Sequence, residues 1–227
     1  MRGVVSALRD FLTNPVFLWI WIGLVAGSLV TLMWDLRENN PEVPSLMKGV
    51  WIATILYSGP VGLALYWYSG RKQIPRDTVW RRGVRSDAHC YSGCGAGEVA
   101  GIVIAAGILA LGTWWVAAIT FALAYVAGYA MTVGPLMQEG VGLREAMMDA
   151  LYSETASITV MEVVAIGVDI YFAGDARMGE PLFWSALFFS LSMGLLAAYP
   201  VNVLLVRMGV KAGMMDPRDY GEEAGAH

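Results

Sequence analysis

The sequence predicts an all-α fold, a polytopic bundle of membrane-spanning helices. Three observations lead there. The 227-residue chain is 57% hydrophobic and 15% charged, with a mean hydropathy of +0.55, too apolar for a water-soluble domain of this size. Its apolar residues gather in runs long enough to cross a hydrocarbon layer about 30 Å thick as helix. Proline, glycine and charge clusters punctuate those runs, as turns between spans do.

Taken in order, Val4 to Leu12 carries apolar residues at helical spacing and breaks at Asn14-Pro15, which predicts a short interfacial helix within residues 1–15. Val16 to Trp34 is the first span. It exceeds a signal-peptide core and has no well-placed small-residue cleavage site, so a retained helix is expected. An acid-rich loop from Asp35 to Lys48 leads to a second span, Val50 to Ser69, kinked at Gly59-Pro60; residues 16–70 thus hold two spans. Residues 71–94 read as a basic loop, with Arg71, Lys72, Arg76, Arg81, Arg82 and Arg85 running into His89 and Cys94.

A core of four helices is expected over residues 95–206. Gly95 to Val133 would measure about 55–60 Å as one helix, twice the hydrocarbon thickness, so it divides at Gly112-Thr113 into Gly95–Leu111 and Trp114–Val133. Gly134-Pro135 should end that helix. Leu151 to Phe172 is the fifth span, its helix already begun near Leu143, and Leu182 to Val206 is the sixth. Residues 207–227, polar and Gly-rich, are expected to form a disordered tail. With six spans and both termini in the cytoplasm, twelve Lys and Arg residues lie inside against Arg37, Lys48 and Arg177 outside. This points to the cytoplasmic membrane of a prokaryote.

Chemistry concentrates in two places. His89, Cys90 and Cys94 bring the only two cysteines together with one of the two histidines, and thiolate and imidazole are ligands for soft or borderline metals. Cys90, Cys94 and Glu98 repeat every four residues, so on a helix they share a face, beside a small-residue stripe of Gly93, Gly97 and Gly101 that would let a neighbouring helix approach. A metal site and plain packing both fit. The second place is the fifth span, which carries Glu154, Thr155, Ser157, Met161, Glu162 and Asp169. A charged side chain at mid-bilayer costs at least about 2.5–3.5 kcal/mol, so such residues face the bundle interior and need a partner, a proton or a bound cation. No basic residue lies inside a span to pair with Glu162. Tyr125 and Tyr129 share a face and suit hydrogen bonds across the bundle; Asn202 beside Pro200 is a weaker candidate.

Other chemistries find no support. There is no zinc-protease helix, nucleophile elbow, phosphate-binding loop or dinucleotide fingerprint, hence no indication of nucleotide or flavin. The Cys-x-x-Cys-His haem motif is absent, no lysine within a span offers a Schiff base, and no basic aromatic patch suggests nucleic acid.

His89-Cys90-x3-Cys94-Gly95-x-Gly97, with Ser153-Glu154-Thr155 and Met161-Glu162 further on, resembles a family of bacterial and archaeal membrane proteins known only as a domain of unknown function (4396 type). That resemblance covers roughly residues 85 to 210. It implies a polytopic membrane fold and no particular activity. Cys-x3-Cys with a nearby histidine is also locally similar to the copper-binding motif of Sco-type oxidase assembly proteins, from which only the ligand chemistry carries over. The expected function is binding of a soft metal ion, copper first and zinc second, and its movement or delivery across the membrane, with His89, Cys90, Cys94 and Glu98 as ligands and Asp87 as the alternative to Glu98 for the fourth position that zinc needs. The alternatives are a non-catalytic subunit or assembly factor docking on a membrane partner or a second copy, and proton- or cation-coupled transport of a small solute through Glu162.

Overall fold

The computed structural model describes residues 2–174 and 176–220, and every regular element among them is helical. The elements are α1 (Arg2–Leu12), α2 (Pro15–Glu38), α3 (Ser45–Ser58), α4 (Pro60–Ser69), α5 (Val79–Ile102), α6 (Thr113–Gln138), α7 (Leu143–Ala173) and α8 (Pro181–Arg207); a π-helical turn, Val103–Ile108, extends α5. Among the described residues, five segments are long and apolar enough to cross a membrane: α2, α5 with its π turn, α6, α7 and α8.

The break between α1 and α2 follows from Asn14, whose side chain accepts hydrogen bonds from the backbone N–H of Val16 and Phe17, with Pro15 opening the helix. α1 is tied back to the core, because Arg9 donates to the carbonyls of Phe172 (2.9 Å) and Tyr171 (3.1 Å) at the end of α7.

The expected second span does not run as one helix. Gly59 takes φ +57°, Pro60 starts a new helix, and α3 and α4 fold back on one another as an antiparallel pair. A Cβ on Gly62 would lie 2.7 Å from the Thr54 carbonyl oxygen, and the Trp51 and Tyr66 rings pack edge to face with centroids 5.4 Å apart. At 1.5 Å per residue these helices of 14 and 10 residues measure about 21 and 15 Å, short of the hydrocarbon thickness of about 30 Å. The loops before and after the hairpin therefore meet at one end of the molecule. There Asp35 accepts from Arg71 (2.8 Å) and Tyr66 (2.7 Å), and Lys72 pairs with Glu42 (3.0 Å).

Residues 79–94 also depart from expectation. They are the first half of α5, not a basic loop, and only 70–78 remain irregular. Thr78 caps the helix by accepting from the Arg81 N–H. The arginines are absorbed by partners distant in sequence or outside the helix. Arg81 donates to the carbonyls of Tyr68 and Arg76, and fully buried Arg85 forks onto Asp77 (3.0 and 2.8 Å) and reaches the carbonyls of Ser69 and Met214 (both 3.1 Å).

Gly134-Pro135 does not stop α6 either. The helix runs to Gln138 and the chain turns at Gly140, φ +90°. The turn at Gly112, the early start of α7 at Leu143 and the limits of α8 agree with the sequence reading. Residues 208–220 are not a loose tail: Lys211 is buried and Met214 and Tyr220 pack on the α2–α5 cluster. The remainder of the expected tail, 221–227, lies outside the described residues.

In the core, α5 is central, with α6, α7 and α8 around it; Cys90, Cys94, Tyr91, Ile158, Met161, Leu187 and Leu191 form one continuous buried cluster. The outward apolar side chains of α2 and α6, such as Trp19, Val30, Trp114 and Val126, are exposed, as lipid-facing positions are.

Candidate functional site: a buried line of thiols and carboxylates

The glycine stripe explains how α5 comes to lie so deep. A Cβ at Gly93 would stand 2.8 Å from Met131 Cγ, at Gly97 2.7 Å from Ala124 Cα, and at Gly101 2.7 Å from Thr120 Cα. The stripe is consumed within the chain by α6, whose own Gly128 makes room for Cys94: a Cβ there would stand 3.1 Å from its Sγ.

With α6 held close on one side, the Cys90–Cys94–Glu98 face of α5 meets α7. The Sγ atoms of Cys90 and Cys94 are 3.9 Å apart, both thiols are free, and Cys90 Sγ lies 4.0 Å from Ser157 Oγ. Glu162 faces this pair from α7 and is fully buried, at 0% exposure; neither of its carboxylate oxygens has a hydrogen-bond partner. Met161 beside it is equally buried. One turn beyond Cys94, Glu98 is 1% exposed, has an unpartnered Oε2, and faces Glu162, half-buried Asp169 and Tyr57. One Asp169 oxygen and the Thr120 hydroxyl are likewise unpartnered. None of the ion pairs among the described residues involves Glu98, Glu162 or Asp169.

Toward the end where α5 begins, one carboxylate of the line is paired with a cation and another with an amide. Lys211 Nζ donates to Glu154 Oε2 (2.6 Å) and to Asn202 Oδ1 (2.9 Å), Asn202 Nδ2 donates to Asp87 Oδ1 (2.8 Å), and Thr132 donates to the other Glu154 oxygen (3.3 Å). The sequence reading found Glu154 and Asn202, named Asp87 only as a possible fourth ligand for zinc, and missed Lys211. Lys211 lies beyond the last span, and Asp87 sat in the segment read as a loop.

Not all the expected site residues converge. His89, one residue before Cys90, sits on an adjoining face of the helix near the Met131 backbone, with Glu154 and Lys211 as charged neighbours. Thr155 and Thr159 are taken by α6: Tyr129 Oη and Thr155 Oγ1 are 2.6 Å apart, and Tyr125 bonds to Thr159 and to the Thr155 carbonyl. Among the described residues, no three His, Cys, Asp or Glu side chains converge tightly enough to form a ready-made metal cage. What does converge is a two-thiol pair backed by an unpaired carboxylate.

Fold and site together define an all-helical integral membrane protein with an acidic, thiol-bearing line through its core. The chain matches DUF4396, a domain of unknown function, over residues 79–211, more than half its length, and belongs to that family. The matched stretch holds Cys90, Cys94, Glu98, Glu154, Glu162 and Lys211, and it leaves α1 to α4 outside. No curated protein and no solved structure matches the chain.

Proposed function

We propose that this protein binds a soft or borderline metal ion between Cys90, Cys94 and Glu162 and passes it across a prokaryotic cytoplasmic membrane. The observation that carries the reading is the pair of buried thiols 3.9 Å apart beside a carboxylate with no partner. A tetrahedral site with metal–sulfur bonds of about 2.3 Å has an S···S edge of about 3.8 Å, so the two thiols need almost no rearrangement to grip an ion, and Glu162 closes the site by turning its side chain toward them. Two thiolates suit copper(I) and, with Glu162, zinc. His89 and Glu98, expected as ligands at the mouth, stand outside this set: the first faces another way and the second lies deeper.

The same reading revises the topology. Counting α2, α5, α6, α7 and α8 as the spans and α3–α4 as a re-entrant hairpin puts Arg37 and Lys48 at the same end as the other basic loops, leaving Arg2, Arg9 and Arg177 at the opposite end. The bias stays at twelve of the 15 Lys and Arg, because Arg37 and Lys48 change places with Arg2 and Arg9. The start of α5 and residues 208–220 are then cytoplasmic and α1 is on the far side. A reducing cytoplasm keeps thiols available to an arriving ion.

Metal content of the detergent-purified protein, measured by mass spectrometry beside Cys90→Ser/Cys94→Ser, tests the reading. Near-stoichiometric copper or zinc, lost in the double variant and retained in His89→Ala, is the expected result. Equal content in wild type and double variant would overturn it. A second reading, coupled transport of protons or another cation with the thiols dispensable, is favoured by the unpartnered Glu98, Glu162 and Asp169. It predicts a protein without bound metal whose transport is lost in Glu162→Gln.

A further inference from the structure

Among the described residues, the one cation paired with Glu154 is Lys211, and that residue belongs to no span. After α8 the chain turns at Gly209 (φ +73°) and Gly213 (φ +75°) and lies back over the end of the bundle. The segment is seated by discrete contacts: the Val210 and Lys211 amides bond to the Leu205 carbonyl, the Met214 carbonyl accepts from Arg85, Gly213 rests on Arg82, Met214 and Tyr220 pack on the α2–α5 cluster, and Pro217 is buried. Between these anchors Met208, Val210 and Met215 are exposed. From this surface strap the Lys211 side chain dips into the core, where it is only 8% exposed, and ends on Glu154 and Asn202.

Its position relative to the thiols gives it meaning. Glu154 is one turn from Ser157, whose hydroxyl neighbours Cys90 Sγ, and Asp87 on α5 is one turn from Cys90 itself. A cation approaching the thiols from this end meets the Glu154 and Asp87 carboxylates first, and finds an ammonium already there.

We propose that residues 208–220 are a cytoplasmic gate over the metal path, with Lys211 as a tethered cation that occupies the mouth and keeps other cations out until the strap lifts. The idea rests on the proposed passage of a cation to Cys90. With the strap seated, Lys211 fills the mouth and offsets the Glu154 charge. With it lifted, Glu154 and Asp87 present unbalanced negative charge in a narrow low-dielectric opening and draw cations in. The two positive-φ glycines are the hinges on which the segment swings.

The test uses no metal, so its failure is distinct from failure of the metal reading, which metal content decides. In a Cys94→Ser background, Cys90 is modified by a cationic methanethiosulfonate and, in parallel, by neutral methyl methanethiosulfonate. Lys211→Gln should raise the rate with the cationic reagent about tenfold or more relative to the neutral one, the size of effect that an uncompensated acidic cleft has on cation arrival. Lys211→Arg should stay near wild type. Gly213→Val, which unseats the strap from outside without removing its charge, should also speed the cationic reagent, and it keeps the test alive should the buried substitution unfold the protein. Unchanged rates in both Lys211→Gln and Gly213→Val, or an equal rise with both reagents, would overturn the gate.

Discussion

Replacing Arg85 probes how the cytoplasmic end is held together. Its guanidinium is fully buried and makes four hydrogen bonds, two to Asp77 and one each to the carbonyls of Ser69 and Met214. Those partners belong to the loop before α5, the end of the hairpin and the C-terminal strap, so one side chain joins three segments. Arg85→Met leaves the mostly buried Asp77 carboxylate and two carbonyls without a donor. Breaking one side of a buried ion pair costs about 3–5 kcal/mol. Arg85→Lys keeps the charge but cannot present a planar fork; losing at least two of the four bonds should cost about 1–3 kcal/mol. Denaturant unfolding in mixed micelles, followed by tryptophan fluorescence, measures both. Adding Asp77→Asn to Arg85→Met should recover part of the loss, since the stranded charge is then gone. The reasoning is refuted if Arg85→Met and wild type unfold at the same denaturant concentration.

Three further outcomes follow from the packing. Gly97→Ala should destabilise by about 1–3 kcal/mol, because its Cβ would press on α6 backbone at Leu123 and Ala124; Gly27→Ala, with nothing within 4 Å, should be neutral or stabilise by about 0.5–1 kcal/mol, and the same unfolding assay separates them. Tyr129→Phe removes a bond to Thr155 between α6 and α7 and should cost about 0.5–1.5 kcal/mol, read as a lower unfolding midpoint. Burial pushes the Tyr220 hydroxyl up to about 12 from its ordinary 10, so its contribution is whole below pH 10 and is lost as pH rises toward 12, where only the unfolded chain has already given up the proton. Protease sensitivity of residues 208–220 should therefore climb over that range, and Tyr220→Phe should flatten the climb.

The apolar runs made the membrane bundle legible, because hydropathy and helix length leave few alternatives for Val16–Trp34 or Leu182–Val206. The hairpin was hidden because Val50–Ser69 has the length and hydropathy of a span, and only Gly59 and Gly62 hint that it doubles back. Charge misled at 79–94. Arg85 looks like a loop residue until Asp77 and two carbonyls are brought to it by tertiary structure. The site was half visible. Four-residue spacing put Cys90, Cys94 and Glu98 on one face, and the cost of a membrane carboxylate singled out Glu162. That His89 faces away, and that Glu154 is neutralised by a lysine from beyond the last helix, depends on how α6 and the strap dock, which periodicity within one helix cannot convey. The spacing of the glycine stripe suits a close-approach surface, and the helix that lies on it is α6 of the same chain.

The most direct test of the central claim is X-ray absorption spectroscopy on the purified protein loaded with one equivalent of copper(I) or zinc under reducing conditions. Two sulfur neighbours per metal at about 2.2–2.3 Å, lost together with the metal in Cys90→Ser/Cys94→Ser and accompanied for zinc by an oxygen neighbour absent in Glu162→Gln, are what the thiol pair beside Glu162 predicts. A metal surrounded only by nitrogen and oxygen, or none retained after desalting, would contradict it.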